Sequence, residues 1–299
     1  MVEEQGRAGT PRGRIVAAVV ALLAVVALLV TVTTLRDGQG GTGDGATAGA
    51  PASPPVGSYR TLVLDEDFDG PLDRSRWADQ RGNPPHTYGS PFNPTKENTY
   101  FDPDQVDVRD GNLVLRAEPR RVTDPLGGAT YDFVSGVVHS GPTGGFRYGY
   151  TEARILIPAE AGYWPAFWML PSPVDGQWPP EIDIAEFSSV VATTTRPSFN
   201  VHWRDEKGDH RQAGPAPYGR PDADHRGGWH TYGLLWEPGR AQVFVDGTPG
   251  PVFEGDHIPA QPMYIVLGMG VVRGQQPPAA DMLVDYVRVW SDEAGDQAH

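Results

Sequence analysis

The chain has 299 residues, 39% hydrophobic and 21% charged, with 37 glycines, 30 prolines and a formal net charge of −14. That length supplies one sizeable core, and the glycine and proline load favours a strand- and loop-rich fold over a helical bundle. The acidic balance, with no basic run longer than Arg120-Arg121, argues against a nucleic-acid partner, and the absence of cysteine removes disulfides, thiolate nucleophiles and zinc-thiolate sites.

Residues 1–14 carry Arg7, Arg12 and Arg14, and Ile15 to Val30 is an unbroken run of 16 Ala, Val, Leu and Ile residues, extended by threonines to Leu35. At about 1.5 Å per residue, residues 15–35 would span about 30 Å as a helix, enough to cross a bilayer. The arginines before the run place 1–14 in the cytoplasm and the remainder outside, as a single-pass signal anchor at the cell membrane. A cleaved signal peptide, giving a secreted protein, is the competing reading. Its apolar region normally runs only about 7 to 15 residues, although Gly49-Ala50 leaves a cleavage site open. Residues 36–57 reduce largely to Gly, Ala, Thr, Ser, Pro and Asp, the composition of a disordered linker. The formal G-x-G-x-x-G at Gly38 to Gly43 has no strand before it and no helix after it, so it is not a dinucleotide site.

From 58 to 291 short apolar or alternating segments are cut by turn residues. Thr61-Leu64, Leu113-Ala117 after Asp110-Gly111-Asn112, Tyr150-Ile157 before Pro158, and Thr231-Trp236 come first. Ala241-Val245 before Asp246-Gly247, Met263-Leu267 and Met282-Trp290 follow. β-Branched and aromatic residues bounded by Gly, Pro or Asp predict strands, and no segment after Leu35 sustains a helical period. The expected fold is all-β, a two-sheet antiparallel sandwich of jelly-roll kind in one domain, with a polar tail at 292–299.

Three carboxylates fall in one six-residue stretch, Glu181-Ile182-Asp183-Ile184-Ala185-Glu186, behind Pro179-Pro180. Period two puts Glu181 and Asp183 on one strand face and the isoleucines on the other, and a bulge at Ile184-Ala185 would return Glu186 to the acidic face. Glu181 and Glu186 are then about 13 Å apart along the backbone. With side chains leaning inward, their carboxyl groups approach to about 5 to 7 Å. That range includes the separation of about 5 to 5.5 Å used by retaining glycosidases, and inversion, from about 6.5 Å, stays open. Repulsion among the three holds at least one proton at neutral pH, as a general acid requires. Upstream, Trp164, Phe167 and Trp168 are too many large aromatics for one core stripe, and Trp164 and Trp168 are candidates for stacking on sugar rings.

These residues resemble glycoside hydrolase family 16, in its laminarinase-like branch of endo-β-1,3-glucanases. The resemblance rests on Glu181 to Glu186 as E-x-D-x-x-E, on Trp164 to Pro171, and on ordered matches at Asp67-Asp73, Trp77, Asp110-Leu113, Ser135-Val138, Tyr148-Arg154 and Val284-Trp290. It implies a concave glycan cleft and a retaining mechanism, with Glu181 as nucleophile, Glu186 as acid/base and Asp183 tuning the nucleophile. His202, with Trp203 beside it, resembles the family strand that flanks the acids. A structural calcium ion is implied at Asp285 with backbone oxygens near Glu66 and Gly111; catalysis needs no cofactor. Residues 204–226 lack strand patterning and are expected to form a loop bordering the cleft. The EF-hand-like opening at Asp65 is rejected because its twelfth position is Arg76. The expected protein is a monomeric hydrolase of internal β-1,3, or β-1,3/1,4, glucan linkages. A transglycosylase remodelling envelope polysaccharide, a galactan or agarose hydrolase, and a non-catalytic glycan-binding module are its competitors.

Overall fold

The structure, a computed structural model, describes residues 57–82, 88–174 and 176–292. The expected membrane segment at 15–35, nearly all of the linker at 36–57 and the tail beyond residue 292 lie outside the described residues. Among the described residues, no helix is long and apolar enough to cross a membrane.

The strands in chain order are β1 (Leu62–Glu66), β2 (Thr99–Phe101), β3 (Val106–Arg109), β4 (Asn112–Thr123), β5 (Thr130–Ser135), β6 (Val137–His139), β7 (Gly149–Leu156) and β8 (Tyr163–Pro171). They continue as β9 (Glu181–Glu186), β10 (Ser198–Arg204), β11 (His210–Pro217), β12 (Trp229–Glu237), β13 (Arg240–Val245), β14 (Thr248–Glu254), β15 (Met263–Val271) and β16 (Ala280–Trp290). One sheet runs β14-β13-β12-β7-β16-β4-β5-β2, with β1 on β16 and β3 on β4; the other runs β11-β10-β9-β8-β15-β6. All pairings are antiparallel except β2 with β5, which is parallel and departs from the expected purely antiparallel sandwich. The hairpin β3–β4 closes on Asp110-Gly111 with φ of 53° and 70°, both in the left-handed region that a two-residue type I′ turn demands.

Alternation assigns each face of the smaller sheet. On β8 Tyr163, Phe167 and Met169 enter the common core, as do Ile182, Ile184, Phe199, Val201, Ile265, Leu267 and Met269 on its neighbours. Ile182 and Ile184 are both fully buried, and each contributes about 1.5 to 3 kcal/mol over an exposed position. A one-residue slip of β9 would forfeit both, which pins its acidic side to the outer face.

Residues 204–226 depart from the loop expected of them, because His210–Pro217 forms β11 at the edge of the smaller sheet, paired with β10. Its residues are mostly exposed and none is fully buried. With no apolar face to cover, an edge strand has no hydrophobic alternation to read.

Candidate active site

Strand β9 carries the predicted bulge. Against β8, Ala166 faces Glu186 and Phe167 faces Ala185, but Trp168 faces Asp183; against β10, Ser198 faces Glu186 while Asn200 faces Asp183. Asp183 to Ala185 thus span two residues of β8, and Asp183 to Glu186 span three of β10. Ile184 and Ala185 both turn to the core, and Glu186 returns to the side of Glu181 and Asp183, where all three line a cleft of about 910 Å³. Tyr218 donates its hydroxyl to the Ile184 carbonyl at 2.7 Å, so the bulge keeps a buried polar group satisfied.

The three carboxylates sit in different surroundings. Glu186 accepts hydrogen bonds from Trp164 Nε1 at 2.6 Å and Asn200 Nδ2 at 3.1 Å. Burial nevertheless pushes its carboxyl up to about 8, opposed by those donors and reinforced by Glu181 and Glu97. Glu181 accepts from Trp178 Nε1 at 2.7 Å. Burial and then the Asp183 charge hold it well above the ordinary carboxylate range, against His202 and the indole N–H. Asp183 is pushed up to about 6 by burial and then by Glu186, with His202 pulling it down. His202 Nε2 lies 3.1 Å from Asp183 Oδ2 and 3.5 Å from Glu181 Oε1. Burial works to lower the His202 ring, but its bond to Asp183 and the two negative charges outweigh burial and raise it.

The expected aromatic residues divide. Trp164 reaches the cleft and binds Glu186. Trp168 also lines the cleft, but at 8% exposure it packs edge-on against Phe92, with ring centroids 4.7 Å apart, and forms floor rather than an open platform. Trp203 does not join the site. Alternation along β10 sends His202 to the cleft and Trp203 to the other face, where it packs on the core with its ring centroid 4.3 Å from that of His257. Proximity in sequence to His202 is what drew Trp203 into the sequence reading, and period two separates them.

Three residues beside the acids, Trp178, Asn200 and Glu97, escaped the sequence reading. Trp178, 45% exposed, donates to Glu181 and holds its ring centroid 4.9 Å from that of His210 on β11. Asn200 was visible in the Asn200-Val201-His202 alternation, since it shares the face of His202. Glu97 had no such signal: it comes from outside β8–β10, in an isolated bridge with Val272. Its carboxylate accepts the Asn93 N–H at 2.7 Å, and burial pushes it up to about 7 against that bond and Arg81. Position 270 must be small for Glu97 to fit, because a Cβ there would lie 2.7 Å from Glu97 Oε2.

The residues expected near calcium lie at the far side of the other sheet. Glu66 spends its carboxylate on the Phe68 N–H and Trp77 Nε1, each at 3.1 Å, and Asp285 Oδ2 accepts from Arg154 at 2.7 Å. Both Glu66 carboxylate oxygens thus already accept a hydrogen bond, and Asp285 is already paired with Arg154. Burial raises the nearby Asp67, Arg288 lowers it, and Asp65, Asp69 and Asp285 raise it further. That chemistry fits calcium.

Comparison with known proteins follows the same lines. The sequence profile of the glycosyl hydrolases family 16 matches residues 93–288, well over half the chain and all of β2 to β15. The chain belongs to this family. The family 16 domain is 29% identical over 255 residues to the endo-1,3-1,4-beta-glycanase EglC of Rhizobium meliloti (strain 1021), covering 79% of this chain and 51% of that protein. It superposes on LamAcat from Zobellia galactanivorans with a TM-score of 0.65 at 26% identity, over 78% of this chain and 98% of that one. For the endo-beta-1,3-glucanase from Pyrococcus furiosus the TM-score is 0.59 at 28% identity, over 78% of this chain and 94% of that one. The two sheets are therefore the jelly roll of family 16. The chain spans about half the length of EglC, 51%.

Proposed function

We propose that the family 16 domain is a retaining endo-glycosidase that hydrolyses internal β-1,3 linkages, in β-1,3 or mixed β-1,3/1,4 glucan, through a covalent glycosyl-enzyme intermediate. The observation that carries this reading is the bulge of β9, which sets Glu181 and Glu186 on one cleft in contrasting hydrogen-bond environments. Glu186, pushed up to about 8, holds a proton at neutral pH and gives it to the leaving glycosidic oxygen. Glu181 attacks the anomeric carbon as a carboxylate. In the free enzyme burial and the Asp183 charge favour a proton on Glu181, so attack requires that proton to pass to Asp183, whose own carboxyl is also raised, while the Trp178 N–H and His202 stabilise the Glu181 anion. In the second half Glu186, now deprotonated, removes a proton from water as that water attacks the intermediate and frees Glu181. The printed activities of EglC and the Pyrococcus enzyme, on 1,3-1,4 and 1,3 linkages, support a β-glucan substrate.

Glu181→Gln is expected to lower kcat on laminarin by at least about 10³-fold. Glu186→Gln is expected to be nearly as inactive on laminarin but largely spared in the first step on aryl glycosides whose leaving group needs no proton. Full laminarin turnover by Glu181→Gln would sink the assignment. Hydrolysis of laminarin, lichenan and a galactan panel, with product linkages read by mass spectrometry, decides the glycan.

Two subsidiary proposals accompany it. The apolar run at 15–30, behind three arginines, supports a single-pass anchor with the domain outside, and recovery of the native protein from washed membranes rather than medium is the expected result. The resemblance at Asp285, Glu66 and Gly111, with Asp65, Asp67 and Asp69 in the electrostatic neighbourhood of Asp285, supports a structural calcium ion. At a hundredfold excess over Kd such an ion adds about 2.7 kcal/mol, so calcium is expected to raise Tm by about 5 to 10 °C and Asp285→Asn to abolish the rise.

A further inference from the structure

A second cluster stands apart from the cleft. His225 comes from the chain before β12, His230 from the start of β12, and Asp246 from the β13–β14 turn. Each offers one ligand atom, and those atoms lie within 4.8 Å of one another. His230 Nδ1 is 2.7 Å from Asp246 Oδ2, and the other oxygen of Asp246 accepts the Thr231 N–H at 2.9 Å. The carboxylate and the His230 ring are thus already held beside each other.

His225 supplies the independent observation. Its ring is 4% exposed, and both ring nitrogens are buried without a hydrogen-bond partner. An unmet buried donor or acceptor costs about 1 to 3 kcal/mol, and one imidazole holding two of them calls for an unseen water or ion. The ring is held rather than loose. Its backbone N–H donates to Thr195 O at 2.8 Å, and its two neighbours clasp each other, Arg226 Nε and Nη2 donating to Asp224 at 2.9 and 2.8 Å. Gly219 makes the space: a Cβ there would stand 2.5 Å from His225 Nε2. The His225 and His230 ring centroids are 4.8 Å apart, and Asp246 is exposed, so the cluster has a path to solvent.

We propose that His225, His230 and Asp246 bind one divalent transition-metal ion, with zinc the best match. Two imidazoles and a carboxylate suit zinc chemistry, and a water completes a tetrahedral shell on the exposed side. Bonds of about 2.0 to 2.1 Å draw the three donors together by little more than about 1 Å, a movement the exposed Asp246 side chain absorbs. The ion ties three segments together, and it replaces the water or void that His225 otherwise faces.

The test uses the full-length chain, freed of metal by a chelator and titrated with zinc chloride by calorimetry. One equivalent is expected at this site. Since loss of even an outer-shell partner weakens metal binding by about 10- to 100-fold, His225→Asn and Asp246→Asn are expected to weaken it by at least about 100-fold. Cobalt(II) added to the unaltered protein gives a readout that needs no variant to fold: intense visible absorption from a four-coordinate site is expected, and zinc is expected to displace it. The cleft trio Glu181, Asp183 and His202 is the internal control, as it also gathers three donor atoms within 4.8 Å. Zinc binding that survives His225→Asn and Asp246→Asn but vanishes in His202→Ala overturns the proposal. So does the absence of zinc binding and of cobalt absorption in the unaltered protein, which would leave a buried water as the occupant beside His225.

Discussion

At the scale of single residues, Glu186 is governed by groups that push its proton in opposite directions. Burial raises it most; Trp164 and Asn200 stabilise the anion, and Glu181 and Glu97 oppose it. Removing the Asn200 donor therefore raises the Glu186 pKa further, and Asn200→Ala is expected to move the basic limb of the kcat/KM profile to higher pH. Glu97→Gln removes a negative charge from the same neighbourhood and is expected to move that limb to lower pH. Measuring both profiles on one glucan tests the assignment of Glu186 as acid, since a merely structural role for Asn200 or Glu97 would lower the profile without moving it. The hydrogen-bonding faces of Trp164, Asn200 and His202 follow from period two along β8 and β10. The approach of Glu97 depends on a distant segment meeting β15, and no local pattern records it.

At the scale of the element, β9 shows how one added residue carries function. Without the bulge, the alternation that buries Ile182 and Ile184 would send Glu186 into the core and leave Ala185 on the cleft. Deleting Ala185 is accordingly expected to abolish activity and lower Tm together, because the unbulged strand must either bury a carboxylate or expose an isoleucine. Tyr218→Phe is a milder probe. It orphans the Ile184 carbonyl that the hydroxyl now satisfies at 2.7 Å and is expected to cost about 1 to 3 kcal/mol by denaturant unfolding. The bulge was legible in the sequence because Ile182, Ile184 and Glu186 cannot otherwise all be placed. Strand β11 was not, because a solvent-facing edge strand shows no hydrophobic period.

At the scale of the whole molecule, the cleft loads the fold with carboxylates held above their ordinary range. Glu97 titrates near 7 and Glu186 near 8, against an ordinary value of 4.5. A raised carboxyl binds its proton more tightly in the folded chain than in the unfolded one, so its stabilisation is full below about 4.5 and is lost as pH rises through the folded value. His210 and His225, held below 6.5, act in the other sense, but only beneath that pH. Between pH 6.5 and 8.5 the carboxyls dominate, and Tm is expected to fall by several degrees. Each kcal/mol is worth about 2 to 4 °C at this size. Glu97→Gln is expected to flatten the slope, and scanning calorimetry at constant ionic strength checks it.

By itself the sequence determined the strand-rich class, the faces of β9, the bulge, and the clustering of Glu181, Asp183 and Glu186, because each of these follows from a local period and the cost of burying a charge. Only the tertiary structure decided which aromatic residues serve the cleft, that Glu97 and Trp178 join it, that Trp203 does not, and that His225 is buried beside His230 and Asp246. Those outcomes depend on which segments meet across sheets and turns. Such meetings are fixed by packing between residues far apart in the chain, and local patterning carries no record of them.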